Sequence, residues 1–155
     1  MVLQQVFSPK SVILQLQSTD KEELFEEMLE AVVAVQPDID RSEALAALRD
    51  RESKMSTGIM HSVAVPHCCI DTVQGVVGAI GISRSGIDYG SLDGAPVHYV
   101  FMLVGNAGDN AQHLKVLKGL ASVLQQPRFI EELPEKKSAA DVYNLLCEYE
   151  TSVLS

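Results

Sequence analysis

Apolar residues recur at helical spacing in four stretches of the 155-residue chain. After Asp20, the residues Leu24, Phe25, Met28, Leu29 and Val32 line one side of a helix. After Asp40, Ala44, Leu45 and Leu48 repeat the pattern in a helix ending near Arg51. A third stripe, Leu114, Leu117, Leu120, Ala121 and Leu124, predicts a helix from Asn110 to Leu124, closed by Pro127. Val142, Leu145, Leu146 and Tyr149 form the fourth, and a short helical turn is expected from Arg128 to Leu133. Each long helix has a legible start. Asp20, Asp40, Asp109 and Ser138 each precede by three residues a Glu, Gln or Asp, near the spacing at which side chains satisfy the free amides of a first turn.

Between these helices lie strand patterns: Val12 to Leu16, Val63 to Val65, Val76 to Ser83 and Val97 to Val104. The last, VHYVFMLV, is nearly all apolar, as expected of a strand covered on both faces. Such a mixture predicts an α/β three-layer sandwich, a mixed and mostly parallel central sheet flanked by helices. Strand order is not readable from the pattern. No linker tract or repeat divides the sequence, so residues 1–155 are expected to form a single domain.

Composition narrows the classes. Hydrophobic residues make up 46%, which excludes a disordered chain. The longest apolar stretch, Tyr99 to Gly105, is far short of the ~20 residues of a membrane helix. The first residues lack the basic start and apolar core of a signal peptide. Three cysteines, two of them adjacent at Cys68 and Cys69, do not make a disulfide framework, so a reducing cytoplasm is the expected location. Twenty-one Asp and Glu against twelve Lys and Arg leave a net charge of −9, which speaks against a nucleic-acid partner and suits a basic protein partner.

Chemistry concentrates between Arg51 and Cys69, in RESKMSTGIMHSVAVPHCC. A helix ends in Arg51-Glu52, a small-residue turn Ser56-Thr57-Gly58 follows, and an apolar strand runs to Pro66. Proline cannot donate to a ladder, so His67 is expected just beyond the strand end, where α/β folds place ligands.

This segment resembles the active-site signature of the enzyme IIA domains of the mannitol/fructose type in the phosphotransferase system, which include the nitrogen-regulatory IIA proteins. Arg51, Glu52, Ser56, Thr57, Gly58, Ile59, Ala64, Pro66 and His67 stand at matching positions. The resemblance continues through IDYGSLDGAPVHYVFMLVG, through His113-Leu114-Lys115, and through PRFIEEL and SAADVYNLL, from about Val2 to Glu148. It implies that His67 accepts a phosphoryl group and forms a phosphohistidine without a metal or other cofactor. Arg51 would then stabilise the phosphoryl charge, and His113 would orient His67 or hydrogen-bond the phosphate. Ser56 and Thr57 would donate hydroxyls to the phosphate or close the turn. The donor implied is HPr or its nitrogen-branch paralogue. Downstream stands either a regulatory target, which is favoured, or a IIB domain of a fructose- or mannitol-type uptake system.

The chain departs from the family pattern at Met60 and Ser62, where many members carry Gly, and at Cys68 and Cys69, where many carry Gly or Ala. Cys68 and Cys69 are expected to be inert rather than redox-active. His98 is expected to be a satisfied histidine of the central strand, and His61 to lie near the site without a role. Three other readings compete. A zinc site would use His61, His67 and Cys68 or Cys69, although consecutive strand residues point to opposite sides. A Cys-His hydrolase would pair Cys68 or Cys69 with His113 but lacks an evident orienting residue. A non-catalytic adaptor has no use for the Arg51, His67 and His113 set.

Overall fold

The computed structural model describes residues 1–58 and 60–154. Ile59, one of the residues carrying the resemblance, lies outside the described residues.

Four of the helices begin where the capping residues predicted. Asp20 accepts a hydrogen bond from the Glu23 amide, and α2 runs Lys21–Val35. Asp40 caps α3, Arg41–Lys54, which continues three residues past its expected end. Asp109 accepts from the Gln112 amide at the head of α4, Asn110–Leu124. The Ser138 hydroxyl accepts from the Asp141 amide at the start of α6, Ala139–Leu154. The short α5, Pro127–Glu132, runs into a 3-10 turn at Leu133–Glu135. A five-residue helix, α1 (Val2–Val6), was not read from the sequence. It is too short for periodicity and is held by a contact from the far end of the chain.

Five strands form one mixed sheet: β1 (Val12–Ile13), β2 (Val63–Ala64), β3 (His67–Ile70), β4 (Val76–Ile87) and β5 (Val97–Asn106). The spatial order is β1-β4-β5-β2, with β3 also on β5. β1 runs parallel to β4, and β2 and β3 run parallel to β5, while β4 and β5 are antiparallel. The expected mixed, mostly parallel sheet is therefore present. Helices α2 and α3 cover one face, where their side chains meet Val100, Met102 and Val104 of β5. Helices α1, α4, α5 and α6 cover the other face and meet Phe101 and Leu103. The period-2 alternation of β5 thus divides its apolar residues between two cores.

Two expectations need refinement. His67 lies past the end of β2, yet not in a loop: it opens β3 and pairs in register with Leu103. Val63 pairs with Tyr99 and Ala64 with Val100, so β2 and β3 keep one register along β5 and are a single strand line interrupted at Val65-Pro66. Pro66 cannot donate, but its carbonyl accepts the Leu103 amide at 3.0 Å, which carries the ladder through. The second refinement concerns α4. Its core side is His113, Val116, Leu120 and Val123, whereas Leu114 is half exposed. Leu120 and Leu124 of the expected stripe are buried in the core, while Leu117 and Ala121 flank a cleft, so this helix is apolar on two sides.

Candidate phosphoryl site

Three elements bring Arg51, His67 and His113 together. Strand pairing sets the direction of His67. Cys68, the next residue, packs into the core under α3, so His67 faces the α4 side. Its Nδ1–H donates to the Val65 carbonyl at 2.8 Å, across the Pro66 interruption. That bond leaves Nε2 as the unprotonated nitrogen, and it accepts the Nε–H of Arg51 at 3.3 Å. Arg51 reaches it from the last turn of α3, where its Nη1 also donates to the Met55 carbonyl at 3.2 Å.

His113 stands in the opening turns of α4, with its ring centroid 5.8 Å from that of His67. It is buried, and neither ring nitrogen has a hydrogen-bond partner among the described residues. Gly105 makes room for it, because a Cβ there would meet His113 Nδ1 at 2.3 Å. Burial chiefly, and then the neighbouring His67, lowers the His113 pKa below the ordinary imidazole value. The His67 pKa is also lowered, by burial first and by Arg51 among the smaller influences. Both rings are therefore neutral at pH 7, which a nitrogen nucleophile requires.

The two hydroxyls expected to touch phosphate are engaged in the turn. Ser56 Oγ accepts the Gly58 amide at 3.1 Å and keeps its own hydrogen. Thr57 is buried, and its hydroxyl donates to Glu52 at 2.6 Å, so that hydrogen is not offered to a phosphoryl oxygen. Spacing misses why: Tyr89, far along the chain, closes the same group from the other side, with its hydroxyl 2.7 Å from Thr57 Oγ1. A signal for Glu52 does exist in the sequence. It continues the Ala44–Leu48 core stripe by one more turn, an unusual place for an acid.

Ser62 has φ of +70°, in the region that favours glycine, and its carbonyl accepts the His98 and Tyr99 amides. The departure from glycine is thus accommodated without losing the turn. His98 Nδ1 lies 2.8 Å from the Ser83 carbonyl, as a satisfied strand histidine should. The His61 side chain is 87% exposed, near Asp93. Cys68 is buried with its thiol pushed up to about 12 by burial, while Cys69 is exposed on the opposite side of the strand. The residues of the zinc reading are not brought together. Among the described residues no group of three His, Cys, Asp or Glu side chains is placed to hold a metal. No helix of the described residues is long and apolar enough to cross a membrane.

Below His67 opens a cleft of about 400 Å³, lined by Arg51 and by apolar side chains such as Met60, Val65, Leu117 and Leu124. A neutral imidazole with one nitrogen held and the other open beside a guanidinium is the constellation of a nitrogen nucleophile that takes up an anionic group.

Known proteins resemble the chain in sequence and in fold. Residues 5–149 match the family model described as "Phosphoenolpyruvate-dependent sugar phosphotransferase system, EIIA 2". The chain is 31% identical over 150 residues to the fructose-specific EIIABC component of Bacillus subtilis, covering 97% of this chain but about a quarter (24%) of that protein's length. It is 25% identical over 146 residues to a nitrogen regulatory protein of Pseudomonas aeruginosa, covering 94% of this chain and 95% of the other. The crystal structure of the nitrogen regulatory protein IIA-Ntr from Neisseria meningitidis superposes with a TM-score of 0.85 at 26% identity, over 94% of this chain and 99% of that one. The chain belongs to the EIIA type 2 family of the phosphotransferase system, a family of phosphoryl-transfer proteins.

Proposed function

We propose that this protein carries a phosphoryl group on Nε2 of His67. The observation that carries the reading is the pinned tautomer: Val65 holds the Nδ1 proton, and Nε2 is left to meet Arg51, with the His113 ring centroid 5.8 Å from that of His67. The Nε2 lone pair attacks the phosphorus of an incoming phosphohistidine. The donor's N–P bond breaks as the new one forms, and the donor imidazole leaves with the electron pair. Transfer of this kind depends on positioning and on stabilising charge, and no metal is needed for the roles assigned here. Arg51 exchanges its hydrogen bond to Nε2 for bonds to phosphoryl oxygens, the geometry its planar fork suits. The free nitrogens of His113 provide a further donor to the same oxygens. Ser56, with its unspent hydrogen, is the one turn hydroxyl still able to assist.

The donor is HPr or its nitrogen-branch paralogue, and the acidic chain offers such a carrier a complementary charge. A regulatory role is favoured by the match along nearly the whole length of the Pseudomonas protein. The second reading, passage of the phosphate to a IIB domain, is supported by the identity to the Bacillus EIIABC component. Incubation with phospho-HPr should label the protein once, in an acid-labile form. His67→Ala should abolish the label, and undiminished labelling of that variant would sink the reading. Rapid passage of the label to an added fructose-type IIB domain would favour uptake over regulation.

A further inference from the structure

We propose that Glu52 is a positioning residue for this transfer, fixing the imidazole of His67 through Thr57 and Val65. The inference rests on His67 being the acceptor. Glu52 lies in the last turn of α3, next to Arg51, and is 8% exposed. A carboxylate there is opposed twice, by the negative end of the helix dipole and by the cost of burial. Core packing alone would be served by a leucine, as at Leu48 one turn earlier.

Two of the four polar contacts of Glu52 reach Thr57, in the turn before His67. Its carboxylate accepts the Thr57 amide at 2.7 Å and the Thr57 hydroxyl at 2.6 Å. Tyr89 donates to it at 3.1 Å, and Lys21 forms an ion pair at 3.2 Å while lying 4.6 Å over the Tyr89 ring. Burial, the largest influence, pushes the Glu52 pKa up, but the Thr57 hydrogen bonds and Lys21 together hold it below the ordinary value. The group is therefore an ionised, fully bonded anchor.

The anchor connects to the acceptor in two steps. The Thr57 carbonyl, fixed by the carboxylate's grip on the same residue, accepts the Val65 amide at 3.1 Å. The carbonyl of Val65 then takes the Nδ1 proton of His67. Val65 precedes Pro66 in the gap between β2 and β3, so no ladder bond to β5 holds it. Glu52 thus supplies, through Thr57, the restraint that the interrupted strand omits. One helical turn reaches His67 twice: Arg51 directly at Nε2, and Glu52 indirectly at Nδ1.

Single-turnover transfer from phospho-HPr, together with ¹⁵N NMR of the His67 ring, tests the inference on Glu52→Gln and Tyr89→Phe. Glu52→Gln should slow transfer about tenfold or more, as loss of a residue that orients a reactive ligand does. The ring spectrum should change from a pure Nδ1–H tautomer to a mixture, which a loss of stability alone would not produce. Wild-type rate and an unchanged tautomer in folded Glu52→Gln would overturn it. Should that variant not fold, Tyr89→Phe decides by the same pair of readings, since it removes only one hydroxyl. If the wild-type protein takes no label, the acceptor reading fails instead, and the ring spectra still decide whether Glu52 governs His67.

Discussion

Among the described residues two side-chain carboxylates are buried, Glu52 and Glu150, and each accepts hydrogen bonds from backbone amides. Glu52 is bonded from Thr57, five residues on, and Glu150 from the opposite end of the chain. Glu150, on α6, receives the amides of Leu3 at 2.8 Å and Gln4 at 3.2 Å and so caps the first turn of α1. It ties the beginning of the chain to its end, and Tyr143 adds a bond to the Gln4 carbonyl at 2.7 Å. Glu52 receives the Thr57 amide beside the phosphoryl site. The chemistry is the same and the geometry of satisfaction is similar, yet one carboxylate holds a seam while the other holds a reactive ring. A buried acid is therefore judged by where its partners lead, not by its burial.

Substitutions that separate rate from stability sharpen this contrast. The largest effect is expected for Arg51→Lys, which keeps the charge but loses the planar fork and the Nε–H facing His67. Transfer should fall about 100-fold with the urea midpoint unchanged. A wild-type rate would remove Arg51 from the site. Glu150→Gln should do the reverse, lowering unfolding free energy by about 2 kcal/mol, since bonds to a charged acceptor are weakened at a buried position. Its transfer rate should stay at the wild-type level, and a rate as low as that of Glu52→Gln would dissolve the distinction between the two acids.

The smallest effect is a drift with pH. His67 and His113 both titrate below the ordinary 6.5 in the folded protein. Below pH 6.5 the unfolded chain binds protons that the folded one does not, so stability falls on acidification until the folded values are passed. Above 6.5 these two groups add no slope. Urea titrations at pH 7.5, 6 and 5 should show this order of stability. Transfer, which needs neutral His67, should hold its rate to a lower pH than a free imidazole would allow.

The helix starts were legible because a cap is a local device: Asp20, Asp40, Asp109 and Ser138 each act on an amide three residues away. The strand through Pro66 was not, since proline reads as a stop unless a partner is known to donate to its carbonyl. Leu103 does so from a strand more than thirty residues on. The side of α4 that carries Leu117 and Ala121 reads as core for a related reason, because these residues are apolar beside the cleft they line, whereas Leu120 and Leu124 are buried as the stripe predicts. Arg51, His67 and His113 could be named from the resemblance. The union of Glu52 with Thr57, Tyr89 and Lys21 depends on the tertiary approach of three elements, which no spacing encodes.

The pairing of β3 with β5 also bears on biosynthesis. A chain emerging from the ribosome contains Arg51 and His67 well before it contains Leu103, the residue that fixes His67 in register. Until β5 is made and docked, His67 lies on a segment without its strand partner. On the proposed role of His67, competence to be labelled arises only with the completed sheet, and acquisition of the label could serve as a clock for the end of folding.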